Sequence, residues 1–148
     1  MIKILNALAV LSYPFRIFFL ACGIYAIFII AAWMAILLGS LNLPLAWTPL
    51  YWHSHEMIFG VVTAAICGLL LTAMCNWTGA PPLKGAALFG VISLWIAGRA
   101  VMWLGNKLPL ELVMVVDAIF LPVVTAYVAY ILLRHGNKRN LILALILT

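Results

Sequence analysis

The chain has 148 residues, of which 68% are apolar and 7% are charged, and its formal net charge is +5. An average soluble domain has about 45–50% apolar and about 25% charged residues, so a water-facing surface on this chain would expose large apolar patches. The composition excludes a soluble globular domain and a disordered chain, and it predicts an integral membrane protein in contact with the lipid bilayer. In such a chain the excess of Lys and Arg indicates topology and not nucleic-acid binding.

Four apolar stretches are long enough to cross a bilayer as helices, which takes about 20 residues each. We predict these spans at about 17–38, 52–75, 86–104 and 110–133. The stretch 1–11 has a single Lys and predicts an interfacial helix that ends by Pro14. Thr48 and Pro49 predict the N-cap and first turn of the second helix, and the polar segment 76–82 predicts the turn that ends it.

The apolar stretch 141–148 predicts the beginning of a fifth helix. Eight helical residues rise only about 12 Å, less than half of the hydrocarbon thickness, and a chain end at that depth would leave a carboxylate and free carbonyls in lipid. We therefore expect one all-α transmembrane domain over 1–148, a polytopic bundle of four antiparallel spans plus a truncated fifth. It would be the N-terminal portion of a larger bundle; the alternative is a short interfacial tail.

The basic residues predict the orientation of this bundle. Six of them lie on the N-terminal side and one, Lys107, lies on the opposite side. The six are Lys3, Arg16, Lys84, Arg134, Lys138 and Arg139. The positive-inside rule then places the N-terminus in the cytoplasm.

Ionisable side chains are expensive within a membrane and are seldom kept there without a partner. Four are expected within or at the edge of the hydrocarbon: Glu56, Arg99, Glu111 and Asp117. If the third and fourth spans are antiparallel neighbours, Arg99 lies between the two later carboxylates in depth. An ion pair of Arg99 with Asp117 or with Glu111 is therefore allowed.

The segment Trp52-His53-Ser54-His55-Glu56-Met57 adds two histidines to the same outer leaflet. On a helix His53 and Glu56 share a face, and His55 is turned away by about 200°. If the segment is unwound, both imidazoles point the same way and could hold one metal, since imidazole is a common ligand of iron, copper and zinc.

Three interpretations of these residues stay open. In the first, His53 and His55 bind a metal or cofactor while Arg99 neutralises haem propionates or a ligand anion. In the second, Arg99, Glu111 and Asp117 line the polar path of a transporter or channel. In the third, the chain is a structural membrane subunit in which an Arg99–Asp117 pair locks two helices and the histidines face water.

Several segments in order resemble the NnrS family of polytopic bacterial inner-membrane proteins. The most specific is 52–60, which is similar to the family signature WHxHEMxFG. The other matching segments are 13–20, 70–73, 76–79, 81–83 with Gly85, 94–95, Gly98 with Arg99, and Asp117 with 120–122. One departure is Ile17, at a position where the family often has Pro.

The resemblance implies a haem- and copper-containing protein linked to nitric oxide, in denitrification and in the response to nitrosative stress. His53 and His55 are then the candidate haem or copper ligands, and Glu56, Asn76, Arg99 and Asp117 are matching polar positions without an assigned role. Family members are longer, so further ligands are expected beyond residue 148 or from other subunits. Whether nitric oxide is only bound or is converted is left open, and a role other than that of an enzyme is favoured.

Overall fold

A computed structural model describes residues 8–135 of the chain. Four long helices account for most of this part, and within residues 8–135 there is no strand. They are α1 (Pro14–Leu37), α2 (Pro49–Thr78), α3 (Gly85–Trp103) and α4 (Leu110–Arg134), and each is long and apolar enough to span a membrane. The prediction of an all-α bundle of membrane-spanning helices is confirmed. The fifth helix at 141–148 and most of the interfacial segment 1–11 lie outside the described residues.

The ends of the helices follow from local sequence. Pro14 and Pro49 each occupy the first turn of a helix, where the missing N–H leaves no hydrogen bond unmade. The N-cap predicted at Thr48 is present, since its side chain accepts a hydrogen bond from the Tyr51 N–H.

The turn predicted at 76–82 begins later than expected. The α2 helix continues through Thr78 and ends at Gly79, whose φ of 70° is left-handed. Glycine takes this conformation without a steric penalty, so the helix ends where the glycine stands and not at the first polar residue. Asn76, which we expected in the turn, therefore lies in the last helical turn.

Two helices are irregular near the middle of the molecule. In α2 the segment Glu56–Val62 is a π-helix between the α-helical segments Pro49–His55 and Thr63–Thr78. In α4 the α-helical segments Leu110–Ala118 and Phe120–Arg134 are separated at Ile119. Pro122 explains the second irregularity, because it has no N–H for the Ala118 carbonyl four residues before it.

The helices pack as antiparallel neighbours with α2 in contact with the other three. The start of α1 meets the end of α2 through the bond from the Phe15 N–H to Thr72, and the end of α1 meets the start of α2 through Trp33 and His53. The buried apolar side chains form two clusters, one around Phe18, Leu71 and Leu88 and one around Trp52 and Met102. Between these two clusters lie the buried charges described next.

Candidate functional site

Glu56 is fully buried although it carries a carboxylate, and it lies at the first position of the π-helix. Its Oε1 atom is 2.8 Å from Nη1 of Arg99, a residue of α3 that is only 6% exposed. A charge removed from water at this depth is tolerated only with a close partner of opposite sign. The Glu56–Arg99 pair therefore joins α2 to α3 within the membrane.

The same guanidinium reaches a third helix. Nη2 of Arg99 forms an ion pair with Oδ1 of Asp117, in the first half of α4. Of the two pairs allowed by the sequence, the structure contains the one with Asp117. Glu111 is exposed near the start of α4 and is not among the ion-paired side chains of the described residues. The polar path of Arg99, Asp117 and Glu111 stays a prediction, with Glu111 outside the ion-paired group.

His55 bridges the two carboxylates that flank the arginine. Its Nδ1 lies 3.2 Å from Oε1 of Glu56, and its Nε2 lies 3.0 Å from Oδ2 of Asp117. We call His55, Glu56, Arg99 and Asp117 the polar cluster. It holds one arginine against two carboxylates, and the imidazole is placed where a positive charge on it would balance the second carboxylate.

A π-helix begins within the polar cluster, directly after His55. The chain leaves α-helical geometry at Glu56, and Thr63 Oγ1 at the end of the π segment donates to the Ile58 carbonyl five residues before it. Such π segments are rare and often occur at functional sites. The segment is helical throughout, so the unwound alternative for 52–57 is wrong.

His53 lies apart from these charges. Its ring stacks on Trp33 of α1, with centroids 4.4 Å apart and an angle of 12° between the planes. Its Nδ1 atom is buried and has no hydrogen-bond partner among the described residues. The face shared by His53 and Glu56, which we expected from regular helical spacing, therefore does not bring these two side chains together.

Tyr25 and Trp103 complete the surroundings of the buried carboxylate, and the sequence interpretation missed both. The Tyr25 hydroxyl donates a hydrogen bond to Oε2 of Glu56 and accepts one of 2.8 Å from the indole N–H of Trp103. The signal that could have found Tyr25 is a phenol in the middle of an otherwise apolar span.

Two glycines provide the space that the polar cluster occupies. A Cβ atom on Gly60 would lie 2.6 Å from the ring of Tyr25, and one on Gly98 would lie 3.3 Å from Oδ1 of Asp117. The Gly60 carbonyl also accepts a hydrogen bond of 3.2 Å from the Trp95 indole. Close approach of the helices at these points allows short contacts between their polar groups.

A cavity of about 560 Å³ adjoins the polar cluster between α2 and α4. Its lining includes His55, Arg99 and Asp117 together with Thr63 and Thr125. The hydroxyl of Thr125 and Nε of Arg99 are buried without a hydrogen-bond partner among the described residues. Its size is within the usual range of small-molecule sites, about 300–1,000 Å³. The polar cluster therefore has space beside it for a small ligand.

The two histidines do not fit a single shared metal ion. Both ring nitrogens of His55 are within hydrogen-bond distance of carboxylates, and His53 lies against Trp33. Within residues 8–135 no group of three or more His, Cys, Asp and Glu side chains is arranged to hold a metal ion. The unpartnered nitrogen of His53 fits a single ligand to a metal whose other ligands come from elsewhere.

The remaining predicted residue, Asn76, is far from the polar cluster. It is exposed in the last turn of α2, twenty positions after Glu56, and this separation corresponds to roughly 30 Å along the helix. The predicted role of Arg99 toward haem propionates stays a prediction, since both of its Nη atoms contact carboxylates in this structure.

Comparison with known proteins gives one match. A family model described as NnrS protein matches residues 9–148, which is nearly the whole chain. No curated protein and no solved structure matches the chain.

Proposed function

The chain belongs to the NnrS family, and from this premise we propose that it acts in the bacterial response to nitric oxide, in nitrosative stress and denitrification. Its four apolar helices make it a multi-pass membrane protein. We propose the inner membrane as its location, with the N-terminus in the cytoplasm, because six basic residues lie on that side and one, Lys107, lies on the opposite side.

The observation that carries the proposal is the polar cluster itself. All four of its residues occupy positions that the family resemblance had singled out, and they come from three different helices. Buried charged groups in a membrane protein most often mark a functional site. The cavity of about 560 Å³ beside them supports binding of a small ligand at this point.

We propose haem and copper as the cofactors, with His53 as the ligand that this part of the chain contributes. Its buried and unpartnered Nδ1 supports this assignment, because a ligating imidazole needs a nitrogen that is free of other hydrogen bonds. The remaining ligands would come from residues beyond 148 or from another subunit. When bound, haem iron or copper would supply the atom to which nitric oxide coordinates.

For the polar cluster we propose a positioning role. Arg99, Glu56 and Asp117 hold α2, α3 and α4 together, and His55 is fixed between both carboxylates. Tyr25 of α1 donates a hydrogen bond to Glu56, so the helix that carries His53 is also held against α1. This assigns His55 to the support of the site, and His53 to the metal.

The test is the metal content of the purified full-length protein in detergent. We expect a Soret band and copper in the wild type, loss of one or both in His53→Ala, and retention of both in His55→Ala and in the control His135→Ala. Cells that lack the protein should grow more slowly with a nitric-oxide donor, and His53→Ala should not restore growth. A wild type without either metal, or a His53→Ala protein with unchanged content, contradicts the cofactor assignment.

A structural membrane subunit is the second candidate, and one observation favours it. All four groups of the polar cluster pair with one another, as in a lock between helices. Under this interpretation the wild type contains no metal. The Asp117→Asn variant then lowers the amount of folded protein, but cells with equal amounts of folded variant and wild type grow equally well with a nitric-oxide donor. The same metal analysis and growth assay therefore separate the two candidates.

A further inference from the structure

Tyr25 is a phenol within the membrane that the proposed function does not use. It lies in the middle of α1, where its hydroxyl donates a hydrogen bond to Oε2 of Glu56 and accepts one of 2.8 Å from the indole N–H of Trp103. Arg99 and His55 contact the other oxygen of this carboxylate, Oε1. The proton of the phenol therefore lies against a carboxylate oxygen that differs from the one in these two contacts.

The other tyrosines of residues 8–135 have no such contact. The hydroxyl of Tyr130 accepts a hydrogen bond from Arg134, and Tyr127, which is also partly buried, makes no hydrogen bond to a carboxylate of the described residues. A phenol that loses an electron releases its proton readily, and a base in hydrogen-bond contact can take this proton without movement of the chain. In this part of the protein only Tyr25 has a base so placed.

The polar cluster can accept this proton without leaving a buried charge unpaired. It holds two carboxylates against the guanidinium of Arg99. If Glu56 is protonated, Arg99 keeps Asp117 as its ion-pair partner, so the cost of an isolated buried cation does not arise. The oxygen of Tyr25 remains an acceptor after oxidation, so the hydrogen bond from Trp103 is also kept.

A cavity of about 410 Å³ borders the ring of Tyr25 between α1 and α3. Its lining includes Phe28, Trp95 and Trp103, and apart from Arg99 and the phenol itself it is aliphatic and aromatic. Such a lining favours a small neutral molecule over an ion, because a charge without a partner is costly there. A neutral radical in this cavity would contact the ring of Tyr25 while the hydroxyl stays on Glu56.

We propose that Tyr25 is a redox-active residue, which gives one electron to a small neutral radical oxidant while Glu56 accepts its proton. The O–H bond of Tyr25 breaks, the electron reduces the oxidant, and the proton forms a new O–H bond at Oε2 of Glu56. With nitrogen dioxide the products are nitrite and a tyrosyl radical. This oxidant forms from nitric oxide and oxygen, so its choice rests on the proposed function, whereas the contacts of Tyr25 involve neither His53 nor a metal.

The test is a map of 3-nitrotyrosine by peptide mass spectrometry, after exposure of the purified full-length protein to nitrogen dioxide. A second nitrogen dioxide combines with the ring carbon beside the oxygen of the tyrosyl radical, and the hydrogen of that carbon moves to the oxygen, so the nitro group marks the oxidised residue. We expect Tyr25 to be nitrated roughly tenfold faster than Tyr127, which is less than a positioned base can contribute. Tyr25 should also be nitrated before Tyr51, although Tyr51 is 68% exposed.

Two variants separate the role of the carboxylate from that of the indole. In the folded fraction of Glu56→Gln, which lacks the base, Tyr25 should be nitrated at the rate of Tyr127. If this variant does not fold, Trp103→Phe takes its place, since it removes the indole N–H and keeps the base, and Tyr25 should then stay ahead of Tyr127.

The proposal is overturned if Tyr25 is nitrated no faster than Tyr127 in the wild type, or if folded Glu56→Gln keeps the tenfold difference. It is also overturned if Trp103→Phe abolishes that difference, because the indole and not the carboxylate is then responsible. Metal content is a separate measurement, so a protein without haem or copper in which Tyr25 is still nitrated first contradicts the cofactor assignment alone.

Discussion

Glu56 is the residue on which the contacts between helices converge. One carboxylate contacts Arg99 of α3, His55 of its own helix and Tyr25 of α1. In lipid these partners cannot be replaced by water, so each polar group depends on the others. Removal of one member therefore leaves several groups unpaired at once.

At this scale we predict that Glu56→Gln strongly destabilises the protein. The change leaves Arg99 with a single carboxylate in a buried site, and loss of one partner of a buried ion pair costs about 3–5 kcal/mol. The free energy of unfolding in detergent, measured by chemical denaturation, checks this result.

Glu111→Gln is the matched control, because Glu111 is exposed and makes none of these ion pairs. It should unfold at the denaturant concentration of the wild type. Equal stability of the two variants would show that the Glu56–Arg99 pair contributes little to the folded state.

At the scale of single elements, α2 is the helix that organises the site. Its first α-helical segment ends at His55 and places His53 against Trp33 and His55 against the carboxylates, and the π segment begins at the next residue, Glu56. Gly60 lies within this segment and lets the Tyr25 ring approach the backbone. The local geometry of α2 therefore depends on a small residue as much as on the polar ones.

We predict that Gly60→Ala destabilises the protein and weakens the Tyr25–Glu56 contact. The added methyl would lie 2.6 Å from a ring carbon of Tyr25, and such overpacking costs about 1–3 kcal/mol. Thermal unfolding in detergent measures the loss.

Gly90→Ala in α3 provides the comparison for this substitution. A Cβ atom at Gly90 meets nothing within 4 Å, so alanine should leave stability unchanged or raise it, by up to about 1 kcal/mol of helix propensity. If Gly60→Ala behaves like Gly90→Ala, the close approach of Tyr25 is not required.

At the scale of the whole molecule, the bundle consists of two apolar clusters with the polar cluster between them. The two ends of the bundle therefore differ in their distance from the buried charges. The polar cluster lies near the start of α2, the end of α3 and the start of α4, and the cavity of about 560 Å³ beside it is lined in part by Phe120 of the cluster around Leu71 and Leu88. With the proposed orientation, the site lies toward the outer face of the membrane. Ligands from that side or from the lipid would reach it first.

We predict this orientation to be visible by cysteine labelling of intact cells. In a background without Cys22, Cys67 and Cys75, a membrane-impermeant maleimide should label Asn106→Cys, between α3 and α4. It should label Pro81→Cys, in the exposed loop at the opposite end of the bundle, only after the cells are opened. The reverse pattern would place the N-terminus outside.

The sequence by itself determined the class of protein, the four spans, the family and the residues of the polar cluster. Hydrophobic length and scarce charge are sufficient for this, because lipid allows few structures and makes each buried charge informative. Only the tertiary structure decided which of these residues meet. Arg99 pairs with both Glu56 and Asp117 and not with Glu111, and His55, instead of His53, contacts the two carboxylates. The contacts of Tyr25 and Trp103 also required the structure, because they depend on how α1 and α3 pack against each other and against α2. The spacing of residues within one helix does not predict how separate helices pack.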